Sequence, residues 1–328
     1  MSHVSCESAW KPTIQFENLK KRAAILAKIR QFFADRDVLE VETQALSHAT
    51  ITDPYIHSMI ATCHEVDGSH CEEMYLQTSP EFAMKRLLAA GSGSIYQICK
   101  AFRNGEIGSQ HNPEFTMLEW YRIDFDHHDL MQEMDELFQF AIQTPPAKKI
   151  SYQKLFEEKL KINPHIATAK ELENCAIKNG LTNITGNDPE DRDMWMQLLM
   201  SEIIEPQLKE GVFFIYDYPA TQAALARIRQ DEFPVAERFE AYINGIELAN
   251  GFHELADAKE QRTRFENDLI KRAKSNYPSV KIDENFLAAL ANGFPNCSGV
   301  AVGIDRLVMI ALKAKSIRDV ICFPYDIA

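Results

Sequence analysis

The stretch from Phe102 to Tyr121 carries an arginine, a carboxylate and a phenol at spacings that could bind a charged ligand. Its pattern predicts two β-strands joined by a polar loop, with Arg103 at the end of the first strand. Side chains of the second strand alternate between two faces, so Glu119 and Tyr121 share one face. A guanidinium offers a rigid fork of donors that suits a phosphate. Arg103 is therefore a candidate phosphate ligand, with an arginine salt-bridged at a strand end as the alternative.

Two glutamates flank a predicted hairpin turn at Asn244-Gly245. Asn-Gly strongly favours a two-residue hairpin loop, which here pairs residue 243 with 246, 242 with 247 and 240 with 249. In that register Glu240 and Glu247 share a face as diagonal neighbours, roughly 5–8 Å apart. Two carboxylates at this spacing can be bridged by a divalent cation. A solvent-facing hairpin without a cation is the alternative.

The segment CSGVAVGIDRLVMIALK, residues 297–313, predicts a strand followed by a helix with Arg306 in its first turn. Glycine lets a ligand approach the backbone closely, and the start of a helix attracts anions. Gly299 and Gly303 alone would be weak evidence. Together with Arg306 they predict a second anion-binding position.

Cysteine and histidine side chains gather around a possible turn at Asp67-Gly68. Thiolates and imidazoles bind zinc, but the spacing here matches no common zinc module. Paired polar residues near a hairpin end are the simpler interpretation, and metal binding stays open. The four residues are Cys63, His64, His70 and Cys71.

Helices and strands must position these groups, and periodicity locates several of them. The predicted elements are helix 18–36, strand 38–43, a hairpin of 58–66 with 73–78, helix 79–91, helix 128–143 and strand 212–219. Asn18 is a plausible N-cap of the first helix, and Ser79 and Pro80 are plausible N-cap and N1 residues of the second. Antiparallel hairpins with interspersed helices predict an α+β fold.

The composition is that of an ordinary globular protein: 328 residues, 45% of them hydrophobic. The formal net charge of −13 argues against a broad nucleic-acid surface, which needs clustered lysine and arginine. No run of about 18 apolar residues is present, so the sequence predicts no membrane association. The seven cysteines include no CxxC pair, which suits the reducing cytoplasm.

Three segments resemble, in order, the three motifs of class II aminoacyl-tRNA synthetases. Helix 18–36 with strand 38–43 resembles motif 1, although Gln44 stands where that motif normally has proline. FRNGEIGSQHNPEFTMLEWY resembles motif 2, and its HNPEFTMLEWY portion is close to the lysyl-tRNA synthetase version. The GxxxGxDR string ending at Arg306 resembles motif 3. The resemblance implies one catalytic domain over residues 1–328, an antiparallel sheet flanked by helices, a homodimer and no anticodon-binding domain.

The same resemblance implies ATP and Mg²⁺ as cofactors and gives roles to individual residues. Arg103 would hold the α-phosphate and Arg306 the γ-phosphate as the catalytic residues, and Glu240 and Glu247 would bind the metal. Other implied ATP-binding residues are Asn104, Gly105, Glu106, Asn112, Phe115, Glu247, Leu248 and Gly303. Implied amino-acid-binding residues are Ser79, Pro80, Glu81, Glu119, Tyr121, Asn250, Phe252, Glu254 and Ala301. The family usually places an adenine-contacting glutamate at the position of Gly105, so Glu106 or the loop backbone would replace it.

The implied chemistry is attack of a substrate carboxylate on the ATP α-phosphate to form an aminoacyl-adenylate. Stand-alone cores that resemble lysyl-tRNA synthetase in this way transfer (R)-β-lysine to a lysine side chain of elongation factor P, so the resemblance implies an amide-forming ligase with this substrate and acceptor. No tRNA partner is expected. The alternatives are an adenylating enzyme that acylates tRNA or a small amine, and a non-catalytic regulatory module that binds an amino acid.

Overall fold

The computed structural model describes residues 10–68, 71–181 and 188–328. Its helices are α1 (Phe16–Ala34), α2 (Glu81–Ala89), α3 (His127–Ile142), α4 (Tyr152–Leu160), α5 (Ala169–Lys178), α6 (Arg192–Leu199), α7 (Ala258–Lys274), α8 (Glu284–Ala291) and α9 (Ile304–Leu312). Its strands are β1 (Leu39–Glu40), β2 (Leu46–Ser47), β3 (Ile60–His64), β4 (Cys71–Leu76), β5 (Ile95–Phe102), β6 (Glu114–Ile123), β7 (Lys148–Ser151), β8 (Val212–Pro219), β9 (Ile228–Arg229), β10 (Val235–Ile243), β11 (Ile246–His253) and β12 (Cys297–Gly303).

The chain divides into two compact units. The first comprises Met1–Asp124, Phe140–Ile142 and Ala256–Ala328, and the second comprises Phe125–Gln139 and Gln143–Leu255. The expectation of one catalytic domain stays a prediction, because a division into compact units does not establish which parts fold independently.

In the first unit, β1, β5, β6 and β12 lie side by side in that order. β6 is antiparallel to both β5 and β12, whereas the short β1 is parallel to β5. Helix α9 packs on β6. A separate antiparallel sheet has the order β2-β4-β3. The predicted hairpin at 58–78 and the strand pair around the 103–113 loop are therefore confirmed.

In the second unit, β11, β10, β8 and β7 lie side by side in that order, and β9 pairs with the start of β10. β10 is antiparallel to β8 and β11, and β7 is parallel to β8. Helix α4 packs on β7 and β8. Mostly antiparallel strands with helices packed on them confirm the predicted α+β class.

Aromatic packing fixes helix α1 on the strands of the first unit. Phe33 is fully buried, stacks on Tyr96 of β5 with ring centroids 4.4 Å apart and meets Trp120 of β6 edge-on at 5.4 Å. Burying such side chains stabilises a fold by about 1.5–3 kcal/mol each. The amphipathic helix predicted from the 18–36 pattern is thus confirmed.

Two predicted helix caps and one strand length are wrong. Helix α1 begins at Phe16 with Gln15 as its N-cap residue, and Asn18 instead donates a hydrogen bond to the Asp319 carbonyl. Helix α2 begins at Glu81 with Pro80 at the N-cap. The strand predicted over 38–43 is limited to Leu39–Glu40. Local side-chain chemistry allowed each predicted boundary but did not determine it.

The predicted cysteine and histidine set is only partly described, because His70 lies outside the described residues. His64 and Cys71 are paired across β3 and β4. The Cys63 thiol lies 3.5 Å from the Met74 sulfur. Among the described helices, none has an apolar stretch long enough to cross a membrane.

Candidate active site

Arg103 lies immediately after β5, at the start of the loop that leads to β6. Its backbone N–H donates to the Pro113 carbonyl at 2.9 Å, which closes the base of the loop. Its guanidinium donates to the Thr78 carbonyl at 3.4 Å and lies 5.2 Å from the centre of the Phe115 ring. The side chain remains 28% exposed. The backbone and Nε of Arg103 are therefore held by the protein, while the terminal nitrogens of its guanidinium can still receive an anion.

The backbone of the loop after Arg103 explains why position 105 is a glycine and not the glutamate that is usual in class II synthetases. This residue has φ +86°, a left-handed conformation that glycine adopts without strain and a glutamate would not. The Glu106 carboxylate lies 3.7 Å from the Arg103 guanidinium. Further along, the Asn112 side chain donates to the Glu114 carbonyl and accepts from the Tyr325 N–H. The Asn104 N–H donates to the His57 carbonyl at 2.7 Å, so backbone bonds shape the loop from both ends.

Arg306 lies in the first turn of α9, which begins directly after Gly303. Asp305 anchors this turn: its carboxylate pairs with Arg22 of α1 at 2.6 Å and accepts from the Thr116 N–H of β6 at 2.7 Å. The buried Asp305 thus fixes the position of the first turn of α9, which carries Arg306. Arg306 thus lies at a helix start, as the sequence predicted, and its role in binding an anion there stays a prediction.

His111, which the sequence pattern did not single out, contacts Arg306. A guanidinium N–H of Arg306 donates to Nε2 of the His111 ring. Burial lowers the pKa of His111, and the positive charge of Arg306 lowers it further. A neutral ring can accept this hydrogen bond, so the arrangement holds Arg306 at neutral pH. No local signal in the sequence joins residues so far apart in the chain.

Glu119 and Tyr121 face the same way on β6, as predicted. The Tyr121 hydroxyl donates to the Glu119 carboxylate at 2.6 Å, and each residue is only 2% exposed. Burial raises the pKa of the nearby Cys99 thiol to about 12, and the charge of Glu119 is the next cause. A buried carboxylate requires polar or cationic partners, so this pair suits an ammonium group.

Glu81, the predicted ligand of a substrate amine, already has an ammonium partner in the protein. Its carboxylate lies 2.6 Å from Nζ of Lys85, one turn later in α2, and Lys85 is 1% exposed. The Ser79 hydroxyl accepts from the Glu81 N–H at 3.4 Å, before the helix begins. Ala301 of β12 is the cross-strand partner of Glu119. Ala301 and Glu119 are thus brought together on adjacent strands.

The hairpin of β10 and β11 has the predicted turn but not the predicted register throughout. Ile243 pairs with Ile246 and residue 242 with Glu247, as expected. The next pair is residue 241 with 249, so Glu240 lies opposite Asn250 and not opposite residue 249. Leu248 is one extra residue on β11, a β-bulge. A bulge cannot be inferred from hydrophobic alternation alone.

Because of this bulge, Glu247, a predicted metal ligand, and Asn250, a predicted amino-acid ligand, lie on the same face of β11. Strict alternation would put Glu247 and Asn250 on opposite faces of the strand. The extra residue at Leu248 shifts the alternation of side chains by one position, so that Asn250 shares the face that carries Glu247 and Glu240. The Asn250 side chain accepts from Nε of Arg238 at 3.1 Å on that face. Phe252 and Glu254 follow at the same spacing, and both are buried.

Glu240 is surrounded by donors that the sequence pattern did not reveal. Its carboxylate forms an ion pair with Arg238 and accepts hydrogen bonds from the hydroxyls of Tyr218 at 2.6 Å and Tyr242 at 2.5 Å. Burial, with the charge of Glu240 as the next cause, raises the pKa of both tyrosines well above the usual range, so both stay donors. The i and i+2 spacing of Arg238 and Glu240 in one strand was the available signal for their pairing.

Glu240 and Glu247 line one cavity of about 440 Å³ in the second unit, together with Glu205. Magnesium prefers carboxylate oxygens and keeps several of its waters, so a cavity with three carboxylates fits a hydrated Mg²⁺. Glu247 is the better candidate for a direct bond, because the Glu240 oxygens already face Arg238 and two phenols. The two predicted metal contacts stay predictions.

We expect Glu247→Gln to raise the Mg²⁺ concentration needed for half-maximal ATP–pyrophosphate exchange by about tenfold, which corresponds to about 1.4 kcal/mol. The amide keeps the size of the side chain but removes its negative charge. Glu210→Gln, at an exposed position of the same unit, is the matched control. Exchange by Glu247→Gln that is undiminished at low Mg²⁺ would refute the metal role.

The fold and these motifs define a class II synthetase core, and comparison with known proteins agrees. The family model for tRNA synthetases class II (D, K and N) matches residues 11–327, and the chain belongs to this family. The chain is 53% identical over 326 residues to proteins of Salmonella paratyphi B and Salmonella schwarzengrund, each named "Elongation factor P--(R)-beta-lysine ligase". The match covers 98% of this chain and 99% of each relative. A relative of that name from Salmonella heidelberg is 52% identical over the same shares.

Proposed function

We propose that this chain uses ATP to activate (R)-β-lysine as an aminoacyl-adenylate and transfers it to a lysine side chain of elongation factor P. The similarity to ligases of that name extends over 98% of the chain, which supports both the substrate and the acceptor. The structural observation that carries the proposal is the buried pair of Glu119 and Tyr121, since a buried carboxylate with a phenol beside it suits an ammonium.

The reaction proceeds in two displacements. A carboxylate oxygen of the amino acid forms a bond to the α-phosphorus, the bond from that phosphorus to the bridging oxygen breaks, and pyrophosphate leaves. The lysine amine of the acceptor then forms a bond to the acyl carbon, loses a proton, and AMP leaves. No protein nucleophile is needed, so catalysis depends on positioning and on charge stabilisation.

Residues of the two units contribute separately to this chemistry. In the first unit, Arg103 holds the α-phosphate and Arg306 the γ-phosphate. Glu81 pairs with the β-amine, and Tyr121, beside Glu119, meets the distal amine. In the second unit, Glu247 holds Mg²⁺, and Glu254 supplies a carboxylate for the distal amine. Magnesium, when bound, neutralises part of the triphosphate charge. The active form is a homodimer, as the resemblance of the N-terminal helix and strand to motif 1 implies.

The mass of elongation factor P after incubation with this protein, ATP and (R)-β-lysine tests the proposal. One added β-lysyl group, resistant to hydroxylamine because it is an amide, is expected. ATP–pyrophosphate exchange in RNA-free buffer is the companion measurement. Exchange without a mass increase would refute the acceptor, strict dependence of exchange on added tRNA would favour a tRNA-acylating enzyme, and no exchange would favour the non-catalytic module.

Ser79 and Ala301 stand where the lysyl-tRNA synthetase pattern has alanine and glycine, and we predict that they favour the β-isomer. A β-amino acid carries its amine one carbon further from the carboxylate. Ser79 offers a hydroxyl next to Glu81, and the Ala301 methyl lies beside Glu119 on the adjacent strand. Ser79→Ala with Ala301→Gly should shift the preference towards α-lysine by about 1–3 kcal/mol, the scale of a one-carbon discrimination.

The ratio of kcat/KM for the two lysine isomers in pyrophosphate exchange measures this shift. The two single variants are the controls, since each should give part of the change. An unchanged ratio in the double variant would show that other residues set the selectivity.

A further inference from the structure

Two histidines and a glutamate of the second unit form a compact group, which we call the His-Glu-His cluster: His127 at the start of α3, Glu237 in β10 and His253 at the end of β11. One ring nitrogen of each histidine and one carboxylate oxygen of Glu237 all lie within 4.8 Å of one another. Both histidines are buried, and Glu237 is largely so. None of the three has a role in the adenylation chemistry proposed above.

The cluster does not share the strand face that carries Glu240. Glu237 alternates with Arg238 along β10, and His253 lies between Phe252 and Glu254. Side chains that alternate along a strand point to opposite faces. The His-Glu-His cluster is therefore separate from the cavity that Glu240 and Glu247 line.

His127 presents a buried nitrogen that lacks a partner. Its Nε2 lies 3.1 Å from the Asp217 carboxylate. The other oxygen of Asp217 accepts a hydrogen bond from the Arg229 guanidinium at 2.7 Å, so this carboxylate acts as an acceptor. Nε2 must then carry the proton, and Nδ1 has a lone pair. Nδ1 is buried and has no hydrogen-bond partner among the described residues, in a side chain that is 2% exposed.

An unpaired buried acceptor is unfavourable unless something binds it. Histidines that ligate metals commonly donate their other ring N–H to a carboxylate, which fixes the ring and its tautomer. Asp217 and His127 already have this arrangement. Asp217 thus fixes the His127 ring and its tautomer, and Nδ1 keeps a lone pair that a cation can bind.

The charges around the cluster also favour a cation. The Glu237 carboxylate lies 2.6 Å from Nδ1 of His253 and 3.1 Å from Arg229, and Arg229 also pairs with Asp217 at 2.7 Å. Two ionised carboxylates and one guanidinium give a net charge of −1 when the imidazoles are neutral. This negative charge attracts a cation, and a metal ion would supply a partner for Nδ1 of His127.

We propose that the His-Glu-His cluster is a binding site for a zinc ion. Imidazole nitrogens with one carboxylate oxygen are a donor set that zinc uses, at bond lengths of about 2.0–2.2 Å. Three atoms at most 4.8 Å apart lie no more than about 2.8 Å from a common centre. Each ligand atom needs to move inward by at most about 0.8 Å to reach bonding distance. The ring proton of His253 moves from Nδ1 to Nε2, so that Nδ1 and the Glu237 oxygen can both bind the ion, and water completes its coordination.

Such an ion would join the start of α3 to β10 and β11, the strands that also carry Glu240 and Asn250. Binding to the folded state alone would stabilise the second unit in proportion to zinc concentration. The proposal does not depend on the identity of the amino acid or of the acceptor.

Zinc content and affinity of the full-length protein test the site. The purified protein is stripped with EDTA, dialysed and titrated with Zn²⁺ against a chromophoric chelator, and bound metal is counted by mass spectrometry. We expect one zinc ion per chain, and an affinity reduced at least 100-fold in His127→Gln and in Glu237→Gln. Failure to bind zinc at micromolar concentration, or unchanged affinity in both variants, would overturn the proposal.

The cysteines of the first unit provide the matched control. Cys63→Ser with Cys71→Ser removes the thiols of the other candidate zinc ligands and should leave the affinity unchanged. Zinc binding that this double variant loses and the His127 and Glu237 variants keep would assign the ion to the cysteines and overturn the proposal.

Cobalt substitution in the wild-type protein covers the case in which a cluster variant does not fold. A histidine and carboxylate site gives visible d–d absorption without a sulfur-to-cobalt charge-transfer band, because no thiolate is a ligand. This spectrum supports the His-Glu-His cluster, and a charge-transfer band or no cobalt absorption counts against it.

Discussion

Replacing Arg238 by leucine is expected to lower the free energy of unfolding by about 3–5 kcal/mol, because it leaves the Glu240 carboxylate buried without its cation. The Arg238 and Glu240 side chains are 17% and 10% exposed. The guanidinium also donates to the Gln222 carbonyl at 2.8 Å and lies 4.6 Å from the centre of the Tyr218 ring. Urea unfolding at pH 7 measures the change.

A second substitution separates charge from packing in this prediction. In Arg238→Leu with Glu240→Gln, the side chain at position 240 keeps a carbonyl oxygen for the hydroxyls of Tyr218 and Tyr242 but has no charge. Removal of both charges should recover most of the lost stability. If the single and double variants unfold at the same urea concentration, the loss reflects packing of the arginine side chain and not an unpaired carboxylate.

Local sequence signals were sufficient where a short segment determines its own structure. Hydrophobic alternation predicted β6 and the shared face of Glu119 and Tyr121, which their hydrogen bond confirms. Asn244-Gly245 predicted the turn of the second hairpin and its first two pairs. Both depend on neighbours within a few residues, so the sequence contains the relevant chemistry.

Features that depend on distant contacts could not be predicted in this way. The bulge at Leu248 changes which residues of β11 share a face, and no turn or Pro-Gly signal marks it. His111 contacts Arg306 although 195 residues separate them in the chain. Asn18 could cap a helix, but the helix extends past it to Phe16. None of these features is encoded in the few neighbouring residues that a local pattern covers.

Arg103 is the residue whose loss should affect adenylation most directly. Arg103→Ala is expected to reduce kcat/KM for ATP in pyrophosphate exchange by about 10²–10³-fold, the usual cost of removing one preorganised donor at a developing charge. The fold should tolerate the change, because the side chain is 28% exposed and its contacts are one carbonyl, the Phe115 ring and the nearby Glu106.

The lysine variant shows whether charge or geometry matters at this position. Arg103→Lys keeps a positive charge but not the planar fork that can donate to two phosphate oxygens, so it should recover only part of the lost activity. Arg86→Ala, which removes an exposed arginine at the end of α2, is the control and should retain wild-type exchange. Full activity in Arg103→Lys would reduce the role of Arg103 to a point charge, and full activity in Arg103→Ala would remove it from the ATP site. Because Arg103 is fixed at its stem by the Thr78 carbonyl and at its backbone by Pro113, a fork held in one orientation is the interaction that this position provides beyond charge.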